Sequence, residues 1–153
     1  MGEVPPKCVL DASALIALLK NEPGGEQVDR FLMARDCVMS SVNLAEFVSK
    51  MVREGGNASK ALEIVRDLPL TVTPYGTEDA AETGALALHT RHLGLSLGDR
   101  ACLALAKKLD ALAVTTDRPW LQLDIGVKIE CVRPDTGRTG TGETRDEQSI
   151  PPP

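Results

Sequence analysis

Short apolar runs alternate along the chain with longer segments whose apolar residues recur at helical spacing. Lys7 to Leu10 reads as a short buried strand. Ala12 to Lys20, apolar on almost every side, reads as a buried helix with Ser13 placed to cap its start. Pro23-Gly24-Gly25 interrupts the chain before helical spacing resumes from Glu26 to Ala34 through Val28, Phe31 and Leu32. Cys37 to Ser40 gives a second strand. Ser41 or Asn43 is placed to cap the following helix, which runs to about Arg53 and ends at Gly55-Gly56. A helix over Ala58 to Leu68 and a strand over Leu70 to Thr73 come next. A helix then starts at Thr77, with Glu78 and Asp79 in its first turn to suit the helix dipole, and reaches about His92 before Gly94. Ser96-Leu97-Gly98-Asp99 leads into a helix ending at Leu109, and strands follow at Leu112 to Thr115 and Val127 to Val132.

Strands that alternate with helices predict an α/β fold, a three-layer sandwich with a mainly parallel central sheet flanked by helices. The crossovers should be right-handed. From Pro134 the composition shifts to Gly, Thr and Arg and ends in three prolines, with few apolar residues to bury. The expectation is one folded domain over residues 1–133 and a disordered tail over 134–153. Gly137, Gly140 and Gly142 do not form a dinucleotide loop, because their order is wrong and no helix follows.

This pattern places four acids where an element begins or ends. Asp11 closes the run Cys8-Val9-Leu10, and Asp117 follows Ala113-Val114-Thr115-Thr116. Glu46 and Asp99 are expected to project from the first turns of helices, in Asn43-Leu44-Ala45-Glu46-Phe47 and Leu97-Gly98-Asp99-Arg100-Ala101. Ligands of open α/β sheets bind outside the carboxyl ends of the strands, so carboxylates from these distant stretches can meet there. Gathered charges of one sign repel, and a hard divalent cation with a preference for oxygen ligands relieves them. Metal-dependent phosphodiester chemistry is the leading expectation, with a metal-bound water attacking phosphorus in line. Ser13, Thr115 and Thr116 are the supporting hydroxyls, able to orient a carboxylate, a water or a phosphate. Each acid also has a structural reading: Asp11 and Asp99 as helix caps, Asp117 as an Asx-turn before Arg118-Pro119. Glu46, among Leu44, Phe47 and Val48, is the hardest to dismiss that way.

Charge narrows this only slightly. The net charge of −5 argues against a general nucleic-acid coating protein, which is usually basic, but not against an enzyme whose ion and local Lys or Arg reset the field. Arg100 and Arg118 adjoin candidate ligands and are the best candidates for phosphate contacts; Lys50, Arg53, Arg91, Lys107 and Lys108 read as solvated surface. At 3%, aromatics are too few for base-stacking platforms. His89 and His92 fall in one helix end and form no catalytic set with Ser or Cys. The four cysteines are widely spaced without a zinc pattern, and are expected as buried reduced thiols of a cytoplasmic protein. No stretch is long and apolar enough to span a bilayer, so no membrane partner is expected.

Read together, Val9-Leu10-Asp11-Ala12-Ser13-Ala14-Leu15, Asn43-Leu44-Ala45-Glu46-Phe47, Leu95 to Ala106 and Thr115-Thr116-Asp117-Arg118-Pro119-Trp120 resemble the PIN-domain family, and within it the VapC-type toxins of toxin–antitoxin pairs. The resemblance extends from Lys7 to about Arg133 and leaves the tail without an assigned function. It implies an endoribonuclease dependent on Mg2+, with Mn2+ as substitute, in which Asp11, Glu46, Asp99 and Asp117 are catalytic and metal-binding. Ser13 and Thr115 match its supporting polar positions. It also implies a homodimer, an RNA substrate, and a cognate antitoxin that blocks the site and itself carries the contact with operator DNA. The helix faces Leu15 to Leu19 and Val28 to Met33 are candidate antitoxin surfaces.

Two other classes compete. An Asp-dependent phosphotransferase of the haloacid-dehalogenase kind wants a second Asp where Ser13 stands, and a receiver domain wants a late Lys where Thr115-Thr116-Asp117 stands. A catalytically inactive PIN-like binding module would have lost acids that are all present here.

Overall fold

The computed structural model of the protein describes residues 7–133. The expectation of a disordered tail over 134–153 lies outside the described residues. The central strand, β1 (Cys8–Leu10), has only three residues, all buried, as suits a parallel strand covered on both faces. The chain continues through α1 (Ala12–Leu19), α2 (Gly25–Ala34), β2 (Cys37–Ser40), α3 (Ser41–Arg53), α4 (Ala58–Arg66) and β3 (Leu70–Thr73). Then come α5 (Thr77–Ala85), α6 (Ala87–Thr90), α7 (Leu97–Leu109), β4 (Leu112–Thr115) and β5 (Ile129–Cys131). Short 3-10 helices at Arg91–Leu93 and Arg118–Gln122 join them.

The five strands pair in the order β3-β2-β1-β4-β5, every pair parallel. Strand residues alternate between two cores. Cys8, Leu10, Cys37 and Met39 pack with α1 to α4 on one face. Val9, Val38 and Ala113 pack with α7, Leu86 and Trp120 on the other. Handedness explains the division. The chain moves from β1 outward to β3 and then crosses back to β4, and right-handed crossovers in opposite directions must lie on opposite faces. The α/β three-layer sandwich expected from the pattern is the observed architecture. The point of reversal falls between β1 and β4, where a parallel sheet opens a crevice at its carboxyl edge.

Local details differ from the sequence expectations for identifiable reasons. The helix expected from Thr77 to His92 breaks at Leu86. Thr83 Oγ1 donates to the Asp79 carbonyl at 2.7 Å and Thr90 Oγ1 to the Leu86 carbonyl at 2.9 Å, hydroxyls competing for backbone acceptors around Gly84. Ser40 caps α3, accepting from the Val42 amide at 3.1 Å. Ser41 instead accepts from the Tyr75 amide, and Asn43 is buried in the interior. Ser13 does not cap α1; its hydroxyl is turned to Asp11. Of the four free thiols, Cys8, Cys37 and Cys102 are buried as expected, but Cys131 is partly exposed because β5 is an edge strand. Leu15, Val28 and Leu32 enter the core, leaving Leu19 and Met33 as the exposed apolar residues of those two helix faces.

Gly24 is one position where glycine is required. Its φ is +97°, and a Cβ there would run into the Val132 carbonyl. Gly84, inside α5, has open space around it. Gly24→Ala is therefore expected to lower stability by about 1–3 kcal/mol. Gly84→Ala is expected to raise it by about 0.5–1 kcal/mol, both read from urea unfolding midpoints.

Candidate active site

Asp11 occupies the reversal point itself. Its amide donates to the Val114 carbonyl at 2.9 Å, fastening the end of β1 to β4. Its carboxylate is only 4% exposed, a position that demands hydrogen bonds. Oδ2 accepts from Ser13 Oγ at 2.7 Å and from Thr115 Oγ1 at 3.1 Å. The Thr116 amide donates to Ser13 Oγ and the Asp117 amide to Thr115 Oγ1, both at 3.1 Å. Each hydroxyl thus gives its proton to Asp11 and accepts from a backbone amide after β4. The 3.3 Å between the two hydroxyls is then a contact rather than a hydrogen bond, since neither has a proton left to donate.

Glu46 reaches the same edge from the second turn of α3. It is held by Asn43 one turn earlier, whose Nδ2 donates to Glu46 Oε1 at 3.0 Å. The same Nδ2 donates to the Gly98 carbonyl at 3.0 Å, linking α3 to the first turn of α7. A Cβ at Gly98 would displace the Glu46 carboxylate, which lies against the α7 backbone there. Asn43 Oδ1 is buried with no partner among the described residues.

Asp99 stands next, at the third position of α7. Ser96 Oγ accepts from the Asp99 amide at 3.1 Å, and the Asp99 carboxylate accepts from the Ser96 amide at 2.9 Å. This reciprocal capping box fixes the start of the helix. Asp117 follows β4 and opens the 3-10 helix that carries Trp120, the only tryptophan of the chain. The Trp120 indole is fully buried and its N–H finds no acceptor in hydrogen-bond geometry, yet it lies near enough to favour the ionised Asp117.

Electrostatics link the four. Burial pushes the Asp11 carboxyl up to about 7, against the hydrogen bonds from Ser13 and Thr115, with Asp99 and Glu46 adding to the rise. Burial, and then the Asp99 charge, raise Glu46, while Asn43 opposes. Burial and Asp99 raise Asp117, with Trp120 opposing. Asp99 is the charge that all three others feel. Beneath them Cys102 is fully buried, and burial together with the charges of Asp11, Asp99 and Glu46 raises its thiol far above the ordinary value, so it is no thiolate nucleophile.

Among the described residues, no three His, Cys, Asp or Glu side chains converge tightly enough to hold an ion as they stand. The Asp99 carboxylate is engaged by the Ser96 amide rather than turned to the other acids. The donor chemistry nonetheless suits magnesium or manganese: all are carboxylate oxygens, with Asp99 close enough to raise the other three, hydroxyls holding Asp11 and the Asn43 amide holding Glu46.

The remaining expected residues are spread more widely. Thr116 contributes its backbone amide to Ser13. Arg100 Nη1 donates to the Thr83 carbonyl at 3.3 Å, tying α7 to α5. Arg118 Nη1 reaches the Arg133 carbonyl at 3.5 Å. His89 lines a groove of about 430 Å³ with Glu82, Lys107 and Lys108, a set that includes none of the four acids. Sequence reasoning did not single out Asn43, Gly98 or Trp120 as site residues. The Asn43-x-x-Glu46 spacing, one helical turn on one face, was the available signal for the first.

A pH dependence follows from Asp11. Its folded value near 7 lies above the ordinary 3.8, so the folded state holds the proton more tightly than the unfolded chain. Stability of chelated protein should fall as pH rises from about 4 through 7, and stay low above. Asp11→Asn, which keeps an acceptor for Ser13 and Thr115, should remove that slope. At pH 8 it should be more stable than the parent by on the order of 2–4 kcal/mol, with the gap closing toward pH 4, in urea titrations.

Comparison with known proteins bears on the same residues. The sequence matches the family model for the PIN domain over residues 8–125. No curated protein sequence matches it significantly. Solved structures similar to it include VapBC2 from Rickettsia felis bound to a DNA fragment from its promoter, at 16% identity and TM-score 0.64, covering 81% of this chain and 97% of that one. VapC20 from Mycobacterium tuberculosis, a toxin that cleaves the sarcin-ricin loop, is similar at 16% identity and TM-score 0.63, covering 79% and 98%. VapBC-5 from the same organism has 25% identity and TM-score 0.57, covering 84% and 99%. With the family match running from β1 through Asp117 and the fold shared across nearly the whole of these chains, the protein belongs to the PIN-domain family.

Proposed function

We propose that the protein is a VapC-type toxin, an endoribonuclease that hydrolyses RNA phosphodiester bonds with Mg2+, or Mn2+ in its place. The observation that carries this reading is the position of Asp99 within electrostatic reach of Asp11, Glu46 and Asp117, at the edge where a parallel sheet reverses. The Asp99 charge raises the other three carboxyls unless a cation offsets it. Asp11 and Asp99, with Glu46 and Asp117, would hold the ion. When bound, the ion supplies a more acidic water and neutralises charge on the phosphate.

The chain's own residues do the rest. Ser13 and Thr115 hold Asp11 in one orientation, so that its free oxygen has a fixed direction. Asn43 does the same for Glu46. Asp99 can exchange its bond to the Ser96 amide for the ion, a cap worth about 0.5–2 kcal/mol. Asp117, less buried than Asp11, completes the acidic set at the end of β4. We assign Thr116 and Arg118 a supporting place around the substrate, whereas Arg100, expected there from the sequence, is turned to the Thr83 carbonyl of α5.

The neighbours support partners of matching kind. Several are toxin–antitoxin complexes, and three of the neighbours are bound to DNA. We infer a cognate antitoxin that covers the acidic edge, operator DNA reached only through that antitoxin, a homodimer, and a cytoplasmic location in keeping with the four free thiols. No helix among the described residues is long and apolar enough to cross a membrane.

A second reading, an inactive PIN-like binding module, draws on the Asp99 carboxylate being engaged by Ser96 and on the wide spacing of the acids. Cleavage of a mixed RNA pool by antitoxin-free protein, with Mg2+ or Mn2+ against chelator, separates the two. The nuclease reading expects metal-dependent cutting. It expects Asp99→Asn to cut more slowly by more than the roughly 10–100-fold that outer partners of a metal site cost, with the fold intact by circular dichroism. Full activity in Asp99→Asn would overturn the site. Absence of cutting together with no metal-induced rise in melting temperature would favour the binding module.

A further inference from the structure

We propose that Asn43 is a positioning residue that sets the ion affinity of the acidic edge, by locking the Glu46 carboxylate of α3 against the first turn of α7. The inference rests on the nuclease reading and adds to it a residue that touches neither ion nor substrate. Asn43 is fully buried, and its Nδ2 makes two hydrogen bonds of 3.0 Å, to Glu46 Oε1 and to the Gly98 carbonyl. Both partners are acceptors, so the amide can face them only with its NH2 group, and both its hydrogens are used. A carboxylate on one helix and a carbonyl on another require this two-pronged donor. A hydroxyl has one proton, and an apolar side chain has none.

Gly98 supplies the independent half of the arrangement. Because it has no Cβ, the Glu46 carboxylate lies directly on the α7 backbone, one residue before Asp99. The separation of Glu46 from Asp99 is therefore set by the Asn43 fork on one side and by the bare Gly98 backbone on the other. The fork joins α3 to α7, but it does so at a cost. Asn43 Oδ1 is left buried and unpartnered, a cost that an apolar residue at the same position would avoid. Glu46 is also held within reach of the like charge of Asp99. Fixing Glu46 beforehand means that this one ligand loses less freedom when an ion binds, while Asp99 has still to give up its bond to the Ser96 amide.

The test is Mn2+ titration calorimetry on purified, antitoxin-free protein, beside RNA cleavage over a range of Mn2+ concentrations. Asn43→Ala and Gly98→Ala are each expected to weaken Mn2+ binding by about 10–100-fold while still melting cooperatively. Excess Mn2+ should then return the cleavage rate to within a few-fold of the parent, a shift in ion requirement that loss of packing would not produce. Asn43→Ala in a Glu46→Gln background should weaken binding no further, because the partner to be positioned is gone. If Asn43→Ala fails to fold, Gly98→Ala probes the same contact with the buried amide intact. Unchanged Mn2+ affinity in the folded variants, or an effect that adds fully to Glu46→Gln, would overturn the proposal. Parent protein that binds Mn2+ but cuts no RNA would sink the nuclease reading and leave the positioning role standing. Parent protein that binds no Mn2+ would sink both.

Discussion

A carboxylate buried at the reversal point of a parallel sheet is the constraint on which this molecule turns. Asp11 cannot be relaxed into solvent, because β1 is covered on both faces and its end is bonded to β4. Removing an ionised group from water is costly, and the two hydroxyls that serve it offset only part of that cost. The hydroxyls come from Ser13, at the start of α1, and Thr115, at the end of β4, residues 102 apart in the chain. The carboxylate is therefore also a clamp between the two strands that diverge in the topology. The same bonds that keep a charge buried hold the crevice in shape.

Asp99 extends that constraint across the sheet edge. Its charge raises Asp11, Glu46 and Asp117, and none of the three has a basic side chain among the groups that shift it. Lys and Arg side chains are engaged elsewhere: Lys20 and Lys50 on Glu54, Lys108 on Asp79, Arg100 on the Thr83 carbonyl. A protein arranged for stability alone would place one such cation among the acids. Like charges held this close lower the stability of the ion-free molecule.

The two covering layers share the work of presenting these acids. The face covered by α1 to α4 sends Glu46 up from α3, and the opposite face sends Asp99 from α7. Asn43 and Gly98 join the layers over the top of the sheet. Without that junction the relative height of α3 and α7 would depend on apolar packing, which specifies volume better than register.

The sequence by itself determined the elements and the residue types. The alternation of short apolar runs with amphipathic segments predicted strands and helices, because burial on both faces of a parallel sheet leaves an unmistakable apolar signature. It also marked Asp11 and Asp117 at the ends of apolar runs and Glu46 and Asp99 near the starts of helices, positions legible without coordinates. Only the tertiary structure decided the pairing order β3-β2-β1-β4-β5, and so which strand ends are neighbours. Only it showed that Ser13 serves Asp11 rather than capping α1, and that Ser40 caps α3 while Asn43 turns inward. Arg100, next to Asp99 in sequence, points its guanidinium to α5, because consecutive helical residues face different ways. The physical reason is range. Periodicity and caps are local and recur within a few residues, whereas the Asp11–Thr115 and Asn43–Gly98 hydrogen bonds join residues 104 and 55 positions apart. Contacts of that reach leave no trace in the pattern of any one segment.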